Sequence, residues 1–163
     1  SEPNTVPTGP YKGLVVLPEN ETLGRAVFSD RSAPNRRQAL ISERSFGNVQ
    51  AMAGRENSFT EREGIALGDL SESQIDKVRR LIDVYTTNHL ASELASSQSK
   101  RISDQDLMSA RFGWAGADLN GNSIYYRIHG ETFLIEFATL RNQPQHQHTI
   151  VHDLERNLGA HVI

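Results

Sequence analysis

Apolar residues recur at three- and four-residue steps through Ile75, Val78, Leu81, Ile82, Tyr85, Leu90 and Leu94. That spacing places them on one stripe of a helix. Just before the stripe stands Leu70-Ser71-Glu72-Ser73-Gln74-Ile75. Here Ser71 suits the N-cap, Gln74 the reciprocal capping-box position, and Leu70 with Ile75 the hydrophobic staple. The pattern predicts a long amphipathic helix over residues 72–96 with one buried face. His89 lies beside the stripe and reads as a hydrogen-bonded structural histidine.

From Ala110 onward the period changes from helical to two. Phe112, Trp114 and Gly116 alternate with Arg111, Gly113 and Ala115, and Asn120-Gly121 is a strong hairpin signal. Strands are predicted over residues 123–129, 132–139 and 145–153, separated by a turn at Gly130-Glu131 and a loop through Pro144. Ahead of them, a short helix is predicted after Ser103, with Asp104 and Asp106 near the positive end of its dipole. The fold class is therefore α+β: an antiparallel three- to four-stranded meander over residues 110–153, packed on the long helix.

The first third is harder to read. Residues 1–20 hold Pro3, Pro7, Pro10 and Pro18 with Gly9 and Gly13, which predicts an extended Pro-rich arm around the apolar run Leu14-Val15-Val16-Leu17. Residues 21–163 are read as a single α+β domain. Within it, Thr22 is placed to cap a short helix running to Phe28. Ser32 with Pro34 is placed to open a second helix reaching Ile41. Residues 45–63 have little periodicity and read as loop, held down by Phe46, Met52 and Phe59.

The chain's 163 residues suffice for one domain with its own core. Its apolar content of 37% and mean hydropathy of −0.50 are low for such a core, which points to long irregular loops or burial against a partner. A net charge of −3 leaves no broad positive field, so nucleic acid is excluded as a partner. No apolar run is long enough for a transmembrane segment. There is no cysteine, which removes disulfides, thiolate metal sites and cysteine nucleophiles. The chain begins at Ser1 rather than Met, as a processed form or a piece of a longer protein would.

Alternation sorts the strand residues by face. Ile124, Tyr126 and Ile128 share one side of their strand, and Tyr125, Arg127 and His129 the other. Phe133, Ile135 and Phe137 oppose Leu134 and Glu136; His146, His148, Ile150 and His152 oppose Gln147, Thr149 and Val151. The apolar sides suit the helix, so the opposite side collects Tyr125, Arg127, His129 and Glu136. The fourth strand is expected to add its histidines there, since the alternative buries them.

Histidines at i and i+2 of a strand point the same way, about 7 Å apart. His146, His148 and His152 with Glu136 are thus candidate ligands for a divalent transition metal (zinc, copper or iron). Tyr125, Arg127 and His129 are candidates to bind an anionic or carbonyl-bearing ligand. Without metal, the same group suits proton transfer. A plain wet sheet face, with Arg127 and Glu136 as a cross-strand ion pair, is the third reading.

Phe112-Gly113-Trp114-Ala115-Gly116, Tyr125-Tyr126-Arg127-Ile128-His129-Gly130, Leu134-Ile135-Glu136-Phe137 and His146-Gln147-His148-Thr149, in this order, resemble a bacterial family. It is the domain-of-unknown-function family three thousand five hundred. Glu63-Gly64-Ile65 and Leu70-Ser71 with Gln74 fit it too, so the resemblance spans roughly residues 60–160 and, more loosely, the first sixty. It implies an exported, periplasmic or secreted protein with no established activity. It also implies that this chain looks like the C-terminal half of a member, whose other half carries its own paired histidines. A companion chain is then one expected partner. Two functions remain open: metal or ligand binding on the polar face, with or without catalysis, and a structural or assembly subunit docking through its arm on copies of itself, as a homo-oligomer, or on another protein.

Overall fold

The computed structural model describes residues 4–29, 32–52, 55, 59, 61–88, 102, 104–116 and 123–155. In chain order they form helix α1 (Pro18–Ser29), helix α2 (Ala33–Ala39), strands β1 (Leu40–Ser42) and β2 (Ile65–Ala66), and a 3-10 turn (Leu67–Asp69). Helix α3 (Glu72–Asn88), helix α4 (Asp104–Ser109), and strands β3 (Arg111–Ala115), β4 (Tyr125–His129), β5 (Phe133–Leu140) and β6 (Gln143–Asp153) complete the order. The proposed extension of α3 to residue 96, His89 and the Asn120-Gly121 turn lie outside the described residues.

The capping box at the start of α3 forms in part as its sequence dictates. Gln74 Oε1 accepts the Ser71 N–H at 3.1 Å, and Leu70 is buried beneath it. Ser32 caps α2, its hydroxyl accepting the Asn35 N–H. The first helix differs from expectation. It begins at Pro18, not after Thr22, because proline loses no bond in the first turn and Glu19 and Glu21 favour the positive end. Thr22 instead bonds back to the Pro18 carbonyl. The arm accordingly ends at Leu17, and it is folded on itself rather than extended. Thr5 bridges Val15, and the Val6 and Leu14 backbones pair at 2.8 Å.

Strands β3 to β6 form the expected antiparallel meander. The sheet is larger and mixed, because the outer edge of β3 carries two further short strands. β1 runs parallel to it, with Leu40 against Trp114, and β2 antiparallel, with Ile65 against Phe112. The close approach of β2 requires Gly64, whose φ is +106° and where a Cβ would overlap the Phe112 carbonyl. Pro144 lies inside β6, an edge strand in the described sheet, where a missing donor is tolerated.

One sheet face builds the main core. Phe112, Trp114, Tyr126, Ile128, Ile135 and Phe137 are buried against Val78, Leu81 and Tyr85 of α3 and Val27 and Phe28 of α1. Phe28 stacks on Trp114 at 4.7 Å, and Tyr126 on Phe137 at 5.2 Å. Two buried hydroxyls are satisfied in series. Tyr126 donates to the Asn20 carbonyl at 2.8 Å, and so accepts from Tyr85 at 2.6 Å. Asp106 of α4 does more than balance a dipole: its carboxylate accepts the Glu131 N–H and the Thr132 hydroxyl, fastening the β4–β5 turn.

Candidate functional site

Register decides what shares the second face. Tyr125, Arg127 and His129 stand opposite Ala138, Glu136 and Leu134, which in turn stand opposite His148, Ile150 and His152. The histidines of β6 therefore do join the Tyr–Arg–His set. The face is not open to water, because part of the segment between β1 and β2 lies over it. Val49 packs with Ala115, Tyr125 and Ala138, Phe46 meets the Tyr125 ring edge-on at 4.8 Å, and Phe59 lies over Arg127 and beside His129.

Glu136 is the fastening point at the centre. Its side chain is fully buried, and its two oxygens accept the backbone N–H groups of Gln50 and Ala51 at 2.9 and 2.8 Å. Tyr125 donates to the same carboxylate at 2.5 Å. Burial, and then the Glu136 charge, push the Tyr125 hydroxyl well above its ordinary pKa, so it stays a donor. The carboxylate sequence reasoning offered to a metal is thus engaged with the covering loop and its strand neighbour. Among the described residues, no three of His, Cys, Asp and Glu come together as a metal-binding group. His152 is likewise engaged, with Nε2 at 3.0 Å from the Ala51 carbonyl.

At one end of the face His146 and His148 meet directly, Nε2 to Nε2, at 2.9 Å. Asn48 fixes the tautomers. Its Oδ1 accepts the Val49 N–H at 2.8 Å, so the atom 2.7 Å from His148 Nδ1 is an oxygen and that nitrogen carries the proton. His148 Nε2 is then a bare lone pair, and His146 Nε2–H donates to it. Burial, followed by the His146 ring, lowers the His148 pKa.

At the other end lies a cationic group. Arg127 is buried, with its guanidinium 4.4 Å from the centre of the Phe59 ring and its Nη2 paired with the exposed carboxylate of Glu63. Arg127 Nε and His129 Nδ1 are buried and have no hydrogen-bond partner among the described residues. Burial, then Arg127 and Arg62, depress the His129 pKa to about 4, so the ring is neutral at pH 7.

The model of one protein family, described as a protein of unknown function (DUF3500), matches residues 1–160. The chain belongs to DUF3500. No curated protein and no solved structure matches it. For this DUF3500 chain, then, chemistry must be read from the site itself.

Sequence reasoning placed all seven candidates on one face but joined them into one site. The structure separates them into the His146–His148 pair, the Glu136 fastening and the Arg127–His129 group. It missed Asn48, Gln50, Ala51 and Glu63. A signal for the fastening was available, since a carboxylate within Leu134-Ile135-Glu136-Phe137 must find buried donors. No described helix is long and apolar enough to cross a membrane.

Proposed function

We propose that this chain binds a divalent transition metal (zinc, copper or iron) through Nε2 of His146 and His148. One observation carries the reading: the two nitrogens stand 2.9 Å apart, near the roughly 3.3 Å separating two nitrogens that share a tetrahedral ion. The Asn48 bond holds His148 in the tautomer a metal needs, as outer ligands of metal sites do. His146 would pass its proton to Nδ1 and turn a bare Nε2 to the ion. Glu136 and His152, being engaged with the covering loop, act as support rather than ligands. The remaining positions of the ion would be left for water or for groups outside the described residues.

The test is a zinc titration by calorimetry on the wild type and on His146→Ala and His148→Ala, with circular dichroism on each. Saturable binding in the wild type, weakened at least about tenfold in each variant without loss of fold, is the expected result. Parent-like binding by both variants would remove the reading.

The exposed arm favours a second reading, assembly. Tyr11 and Leu14 are 71% and 57% exposed, and Val15 and Val16 lie partly open beside them. Such a set suits docking on another copy of the chain. Light scattering at micromolar concentration tests it: assembly predicts an oligomer that Leu14→Asp dissociates, and a wild-type monomer would refute it.

A further inference from the structure

The Arg127–His129 end of the face carries an inference independent of the metal reading. A guanidinium presents Nε–H and one terminal nitrogen along a common edge, and a carboxylate set squarely on that edge engages both. In this chain the edge is half used. Glu63 Oε2 takes Nη2, while Nε, buried and without a partner among the described residues, takes nothing. Two residues along β4 and on the same face, His129 Nδ1 is also buried and unpartnered.

Leaving two buried polar nitrogens unmatched is costly unless something else satisfies them. What would satisfy them is an acceptor. The local charge agrees. Arg127 and Arg62 both act electrostatically on His129, and Arg111 stands opposite it in register with its guanidinium on the Gly64 carbonyl. The carboxylates set against Arg127 are Glu63, paired with it, and Glu136, opposite it in register. Glu136 already accepts three bonds from the loop and Tyr125. Glu63 is weakly committed, since its side chain is 57% exposed while that of Arg127 is 2% exposed. The guanidinium is thus buried, yet an exposed carboxylate reaches it, so a carboxylate from solution can take the same route. Phe59 over the guanidinium offers an apolar wall to the body of such a molecule.

We propose that Arg127 and His129 form a receptor for a small organic carboxylate, and that the Glu63 side chain holds the ligand's place in the free chain. The incoming carboxylate displaces Glu63, spans Nε and Nη2 of Arg127, and brings an oxygen to the protonated tautomer of His129 Nδ1. Glu63 acts as an internal competitor that sets the affinity.

Acetate, succinate and inorganic phosphate, titrated separately by calorimetry into the wild type, Glu63→Gln and Arg127→Lys, test this. Glu63→Gln, an exposed change that keeps the fold, should tighten acetate or succinate binding about tenfold or more by removing the competing charge. Arg127→Lys should lose the binding, because an ammonium has no fork. The His146→Ala/His148→Ala double variant should bind carboxylate like the parent, which separates this site from the metal site. Absence of carboxylate binding in both the wild type and Glu63→Gln would overturn the proposal and leave the ion pair structural. Binding of phosphate but not of acetate or succinate would overturn the ligand class.

Discussion

The Glu136 carboxylate on β5 accepts the backbone N–H of Ala51 at 2.8 Å, joining residues 85 positions apart. A second oxygen does the same for Gln50, so a loop without regular structure is held by a carboxylate beneath it. Replacing Glu136 by Gln keeps the shape but turns an amide donor toward groups that themselves donate. The expected loss is about 2–4 kcal/mol, measured by urea unfolding, from a buried charge removed and donors left unmatched. An unchanged midpoint would mean that the loop is held by its apolar contacts alone.

Much of this architecture was legible because it is local. The Gln74 cap on Ser71, the period-two strands, and the split of Tyr125, Arg127 and His129 from Tyr126 and Ile128 follow from repeat and chirality. The fourth strand's orientation rested only on keeping its histidines out of the core, and in the structure Val151 of that strand packs on the apolar face. What escaped was non-local. β1 and β2 span three and two residues and exist only because β3 offers an open edge. The loop over the polar face carries no period, and its order comes from Glu136, Tyr125 and Arg127, far away in sequence. A wet face and a covered one look alike in sequence until the cover is known.

Asn48 should matter to metal affinity more than to stability. It bonds His148 Nδ1 at 2.7 Å and lies at the margin of the fold. Asn48→Ala would free the His148 ring to rotate and change tautomer, and about tenfold weaker zinc binding is expected. Asn48→Asp, which keeps the acceptor, should restore it. The readout is competition with a chelating dye, beside a melting curve. A fall in melting temperature with parent-like affinity would make Asn48 merely a loop residue.

His129 predicts an acid-side loss of stability. Its folded-state pKa is depressed to about 4 from 6.5, so between those values the unfolded chain binds more protons than the folded one. Stability therefore rises with pH through this window, is complete above about 6.5, and falls as pH drops toward 4. The loss between neutral pH and pH 4 is at most about 3 kcal/mol. Urea unfolding at several pH values should show a slope that shrinks in His129→Gln. An identical slope in that variant would assign the acid sensitivity to other groups.

Gly24 sets how closely α1 lies on the sheet. A Cβ there would overlap the Tyr126 ring at Cε1 and Cδ1. That ring cannot easily yield, because its hydroxyl is bonded to Tyr85 and the Asn20 carbonyl and its face stacks on Phe137. Alanine would gain up to about 1 kcal/mol in helix propensity, but lifting α1 off the ring would cost about 1–3 kcal/mol. Gly24→Ala should thus lower the melting temperature even though the position is helical. A rise would mean that α1 slides along α3 at little cost, and that its seat on Tyr126 does not fix the helix layer.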